Sequence, residues 1–222
     1  MLINVVIAAV YGLVLLVLLW PTQSTAKRLL KRWEVPDPTP EQFAEAIRYL
    51  KRRRLLYPVL FVAVALVPKW VDSHLQLVVV GLAGTLLAEL LALRTRRDAL
   101  RTATLTPRGL FDIASKWVLG AYVLIVAGAA AYLVHAQQWG RLPWLALSAA
   151  AVAVIIWAAV ARPAGGEQVV DVALRTRSVH VSAGLGAALA GVMIDQGAIG
   201  LVGILAWIAM ANTTPKHMKI KR

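Results

Sequence analysis

The chain has 222 residues, 59% of them hydrophobic and 16% charged, with a formal net charge of +13. Soluble domains run at about 45–50% apolar and about 25% charged, so the composition excludes a disordered chain and a water-soluble nucleic-acid binder. Cysteine is absent, which excludes disulfides, thiolate metal sites and cysteine nucleophiles.

A helix needs about 20 mostly apolar residues to cross the ~30 Å hydrocarbon layer. Leu2–Trp20 meets this, with Asn4 its one strongly polar residue. No positive charge precedes that run and a dense cluster follows it. This is the reverse of a secretory signal, so the stretch reads as an uncleaved anchor.

Residues 21–54 form a basic segment. Within it, Ser24–Trp33 sets Leu29, Leu30 and Trp33 against Lys27, Arg28, Lys31 and Arg32. Val35–Pro40 carries alternating prolines and predicts a stiff extended link. Thr39, Pro40 and Gln42 then predict a capped helix start. Beyond it, Phe43, Ala46, Ile47 and Leu50 recur as one apolar stripe, and Arg48, Lys51, Arg52, Arg53 and Arg54 cover the remaining surface. Such a helix either lies on an anionic leaflet or docks a cytosolic partner.

Leu55–Val71 and Leu75–Leu93 are the next apolar stretches, the second holding Glu89. Segment 94–116 is basic again, with Arg94, Arg96 and Arg97 at its start, and Thr106-Pro107 predicts a short helix containing Leu110, Phe111 and Ala114. Trp117–Ala136 and Leu142–Ala161 carry no charge. Val179–Ile194 and Gly197–Ala211 are shorter and are split by Asp195-Gln196. A basic tail, 212–222, closes the chain.

Positive charge sorts between alternate loops: one topology puts 22 of the 24 Lys/Arg on one side, which the positive-inside rule makes the cytoplasm. The resulting expectation is an all-α integral membrane protein with one domain over 1–222. It has about seven transmembrane helices, N-terminus out and C-terminus in, with short amphipathic cytoplasmic helices, and is multi-pass in a bacterial plasma membrane. The last two short stretches form a hairpin, spanning or re-entrant. Trp20, Trp70, Trp117, Trp139 and Trp144 fall at expected span ends, whereas Trp157 and Trp207 lie within spans and are expected to pack.

No phosphate-cradling G-x-x-x-x-G-K-[ST] loop, H-E-x-x-H or G-x-S-x-G is present. Gly84 and Ala88, Gly184 and Ala188, and Ala187 and Gly191 are small residues four apart, a spacing that lets helices approach closely. His74 and His135 fall at similar depth and are the one weak candidate for metal or haem ligation; no cofactor is otherwise indicated. Glu89 is the one carboxylate well inside an apolar stretch, a functional candidate because burying its charge is costly. Pairing with an arginine is the plainer alternative.

Ala92–Arg96 and Ala173–Arg177 share the sequence Ala-Leu-Arg-Thr-Arg. The stretches around them, Leu91–Arg101 and Asp171–His180, resemble uncharacterised polytopic membrane proteins of high-GC Gram-positive bacteria. Some of those stand beside regulators and ATPases of ATP-driven transporters. The resemblance implies a non-catalytic membrane subunit, the transmembrane component of an ABC-type transporter with a separate cytosolic ATPase. Lys27, Arg28, Lys31, Arg32, Arg48, Lys51, Arg52, Arg53, Arg54, Arg94, Arg96, Arg97, Arg175 and Arg177 are the expected contacts to that partner or to anionic lipid headgroups. A small lipid-acting membrane enzyme using Glu89, and a lipid-binding scaffold, are the alternatives.

Overall fold

The computed structural model describes residues 2–18, 20–32, 38–55, 58–59, 62, 82–89, 109–161, 168–195 and 197–213. All regular structure among them is helical. The helices are α1 (Leu2–Leu18), α2 (Gln23–Arg32), α3 (Pro40–Arg54), α4 (residues 82–89), α5 (Lys116–His135), α6 (Leu142–Ala161), α7 (Gln168–Met193) and α8 (Gly197–Asn212). Single turns at Leu110–Ile113 and Trp139–Arg141 precede α5 and α6.

The helix ends follow from local chemistry. At the start of α3 the Gln42 amide donates to the Thr39 hydroxyl and the Thr39 amide to the Gln42 side chain, with Pro40 in the first turn, as the spacing predicts. Helix α5 ends where Gln137 turns left-handed at φ 54°. The Gln138 amide there donates to the Leu133 carbonyl and the Gln137 amide to the Val134 carbonyl, the paired bonds that close a helix C-terminus. Asp195, at φ 61°, closes α7 in the same way through Val192.

Helix α7 is the axis of the fold. It packs against α8 along its second half, against α6 and α5, and by its first turns against α3. From Val170 to Val192 nearly every side chain is buried. Glycines set the closest approach: a Cβ on Gly203 would lie 3.3 Å from the Ala187 carbonyl, the Ala188 Cα and the Gly191 Cα, and one on Gly184 would lie 2.8 Å from the Trp207 ring. Small residues thus let the α7 and α8 backbones meet directly. Gly84 and Ala88 are buried in α4.

Three expectations are corrected here. Two helical stretches among the described residues, Lys116–His135 and Trp139–Ala161, are long and apolar enough to cross a membrane, not seven; Gly197–Asn212 is apolar but shorter. Val179–Ile194 is not a separate span but the second half of the 26-residue α7, which starts in polar sequence at Gln168. The apolar stripes of α2 and α3 do not face outward: Ala26, Leu30, Ala46, Tyr49 and Leu50 are buried with Val170, Ala173 and Leu174 of α7, flanked by Leu29, Phe43 and Ile47. Burial against α7 satisfies those stripes, and the faces left outside are mostly basic, with Lys27, Arg28, Lys31, Arg48 and Arg52 exposed beside Glu41. Most of stretches 55–71 and 75–93, together with Trp33, Trp70, the Thr106-Pro107 helix start, the Ala92–Arg96 copy and the tail from 214, lie outside the described residues.

Helices α5 and α6 expose long apolar faces. Trp117 is 86% exposed, with Val123, Leu124, Leu147, Val154 and Trp157 also outside. Trp157 therefore does not pack internally as expected, whereas Trp207 lies against Gly184. The two ends of the bundle differ in charge. Helices α2 and α3, which pack on the first turns of α7, carry Lys27, Arg28, Lys31, Arg48, Lys51, Arg52 and Arg54 against Glu41 and Glu45. At the other end lies Arg141, whose Nη2 is 2.8 Å from Asp195 and whose Nη1 donates to the Met193 carbonyl.

Candidate functional site

Between Leu174, which packs with the α2–α3 hairpin, and Val179, which packs with the bundle, α7 carries four consecutive polar residues: Arg175, Thr176, Arg177 and Ser178. This layer separates two apolar clusters on one helix. Burying such groups costs free energy unless they are bonded, so their partners define the site.

Glu89 is completely buried at the end of α4, and its Oε1 is the focus. The Tyr49 hydroxyl, from α3, donates to it. Ser178 Oγ donates to it at 2.6 Å, and Arg177 Nη1 lies 3.9 Å away. Arg177 Nη1 also donates to the Tyr49 hydroxyl, and its guanidinium lies 5.3 Å from the Tyr49 ring centroid, within cation–π range. One buried carboxylate therefore joins three helices. The arginine beside it comes from α7, 88 positions along the chain, and not from the neighbouring 94–97 cluster.

A second buried pair lies one turn earlier. Arg175 Nε and Nη2 contact Asp171 Oδ2 at 2.8 and 2.7 Å, and Nη1 donates to the Ala159 carbonyl at 2.9 Å. Ala159 is in the last turn of α6, where carbonyls lack intrahelical partners and the helix dipole is negative. The guanidinium thus caps that helix end.

His180 completes the level. Its Nε2 accepts the Ser115 amide at 3.0 Å, so its Nδ1 carries the proton and donates to the Thr213 carbonyl at 2.7 Å. It ties the start of α5 to the end of α8.

The sequence-predicted residues divide sharply. Arg175 and Arg177, expected at the surface, are inside: Arg175 is fully buried and Arg177 nearly so, because each meets a carboxylate there. Lys27, Arg28, Lys31, Arg48 and Arg52 are exposed, while Lys51 and Arg54 are partly so. Lys51 Nζ lies 5.4 Å from the Trp20 ring centroid, and Lys116 Nζ lies 5.3 Å from that of Phe111. His135 is exposed at the far end. Arg94, Arg96, Arg97 and His74, and the side chains of Arg32 and Arg53, lie outside the described residues. Tyr49, Ser178, Asp171 and Ser115 were not anticipated. Only Asp171 carried a local signal, four residues before Arg175 on one helix face.

Chemically the layer is mostly a set of contacts within the protein, although Thr176 Oγ1 is buried without a hydrogen-bond partner among the described residues. Among the described residues no group of three His, Cys, Asp or Glu is placed to hold a metal. Glu89 Oε1 is occupied by protein donors, not directed at an open cleft. The chain matches no family model, no curated protein and no solved structure.

Proposed function

We propose that the protein is a non-catalytic, multi-pass membrane subunit, the transmembrane component of an ATP-driven transporter whose separate ATPase docks on the α2–α3 hairpin at the cytoplasmic face. One observation carries this reading. The hairpin buries its apolar side on the first turns of the central helix α7 and turns a mostly basic side outward, so a partner docked there would act on the helix that runs through the bundle.

Three further observations support it. Helix α5 has 20 residues, so it is about 30 Å long, which matches the hydrocarbon layer. Only 17% of its apolar stretch is buried, and an apolar face that large is rare on a water-soluble monomer. Tryptophans mark both ends, Trp117 and Trp157 at one and Trp139 and Trp144 at the other, as at membrane interfaces. Basic residues far outnumber acidic ones on α2 and α3, and the positive-inside rule assigns that end to the cytoplasm. Anionic headgroups of that leaflet are the further partner of Lys27, Arg28, Lys31, Arg48 and Arg52. The enclosure of Glu89 Oε1 by Tyr49 and Ser178 weighs against a lipid-acting enzyme that uses this acid.

The test uses the natural absence of cysteine. Single cysteines at Lys31 and Trp139 are exposed to a membrane-impermeant maleimide in intact cells. Position 139 labels and position 31 labels only after lysis; the reverse pattern, or extraction of the chain by alkaline carbonate, overturns the reading. Purification in nanodiscs then yields an ATP-hydrolysing protein that is lost when Lys27, Arg28, Lys31 and Arg48 are changed to glutamine.

A further inference from the structure

We infer that the Tyr49–Glu89–Arg177–Ser178 cluster is a releasable latch that holds the α2–α3 hairpin in one of two positions on α7. The inference rests on the membrane-subunit reading for its purpose but not for its geometry.

The hairpin has its own apolar cluster, Ala26, Leu30, Ala46, Tyr49 and Leu50 on Val170, Ala173 and Leu174, and three of those eight are alanines. That is a smaller cluster than the main one around α7, which has fourteen buried members. The polar layer 175–178 stands between the two, so lifting the hairpin uncovers no bundle core. It does break the contacts of Tyr49 with Glu89 and Arg177. Glu89 and Arg177 remain behind on α4 and α7, still near each other and still joined by Ser178. The charge pair therefore has a bonded arrangement without Tyr49, which makes the open position accessible.

Beyond separating that apolar cluster, the polar cost of opening falls on one side chain of α3. Tyr49 also lies one residue from Arg48 and two from Lys51, which belong to the outward basic surface. A partner that grips this face bears on the tyrosine from the other side of the same helical turn. Docking and release are then linked, because a ligand shifts the equilibrium toward the position it binds better.

The experiment uses single cysteines at Ala173 and Ala188, both buried. Ala173 is covered by the hairpin and Ala188 lies in the bundle. Maleimide labelling is timed in detergent micelles and in nanodiscs. Combining Tyr49→Phe with Glu89→Gln is expected to raise the rate at Ala173→Cys about tenfold or more, the scale set by a lost buried hydrogen bond, and to leave Ala188→Cys unchanged. An unchanged rate at position 173, or an equal rise at both positions, overturns the latch. Where the double variant does not fold, the two probes in the otherwise unaltered chain decide: position 173 reacts faster through hairpin opening, and equal rates overturn the proposal. Because the labelling runs in micelles, it can fail while the topology test succeeds, and the reverse.

Discussion

Arg175 and Asp171 form a salt bridge inside one helix while the same guanidinium caps another, at the Ala159 carbonyl. The arginine is fully buried, so the geometry must answer for the whole cost of removing it from water. An i, i+4 acid–base order on α7 supplies one partner and the open last turn of α6 the other.

Removing only the cation leaves a buried carboxylate. Arg175→Met is expected to destabilise the protein by about 3–5 kcal/mol. Asp171→Leu combined with Arg175→Met should recover most of that loss, since a buried pair replaced by apolar groups is often neutral. Denaturant or thermal unfolding in detergent checks the cycle, and additivity of the two changes would contradict the pairing.

The α7–α8 contact makes a graded prediction. A Cβ at Gly184 falls 3.0 Å from the Trp207 Cα, so Gly184→Ala forces a backbone shift and costs about 1–3 kcal/mol. A Cβ at Gly197 meets nothing within 4 Å, and Gly197→Ala leaves stability within about 0.5 kcal/mol. Unfolding midpoints of the two variants measure the difference.

Leu124 lies midway along α5, exposed and apolar. In a bilayer, Leu124→Arg raises the insertion free energy of that segment by roughly 2.5–3.5 kcal/mol or less if the side chain snorkels. In water the same exchange would be almost silent. A glycosylation-mapping insertion assay separates the two environments.

Glu41, fully exposed at the start of α3, has its carboxyl held below its ordinary range by a hydrogen bond from the backbone at its own position and then by one from Thr39. A depressed acid stabilises the fold while it is ionised. Its contribution is complete above the unfolded-state value and is lost as pH falls through the lower folded-state value. Amide exchange in the first turn of α3 should therefore speed up on acidification through that window. Glu41→Gln should remove that dependence without altering exchange in α7.

What the sequence disclosed depends on range. The α3 start was readable because Thr39, Pro40 and Gln42 act within four residues. The break between α7 and α8 was readable because Asp195-Gln196 interrupts an apolar run. The environment of Glu89 was not, since Tyr49 is 40 positions away and Ser178 is 89. Arg177 looked like a surface charge because nothing local announces the carboxylate of Glu89 on another helix, and Arg175 did too because, although Asp171 stands four residues before it, nothing local announces the carbonyl at the end of α6 that completes its burial. Helix α7 escaped recognition as one element because its first half is polar and its second apolar, and a composition window divides it where the backbone does not. The amphipathic stripes of α2 and α3 were visible, but a stripe states only that it needs cover and not whether lipid or protein provides it.

On the membrane-subunit reading proposed above, the central helix also constrains biogenesis. Asp171, Arg175 and Arg177 would make the first half of α7 a poor candidate for leaving a translocon alone, at about 2.5–3.5 kcal/mol for each charge placed mid-bilayer. Its carboxylate and carbonyl partners on α4 and α6, and the amide of Ser115, all precede it in the chain. Co-translational synthesis thus presents these partners before the residues that require them, and the Thr213 carbonyl that His180 also uses arrives last, with the end of α8.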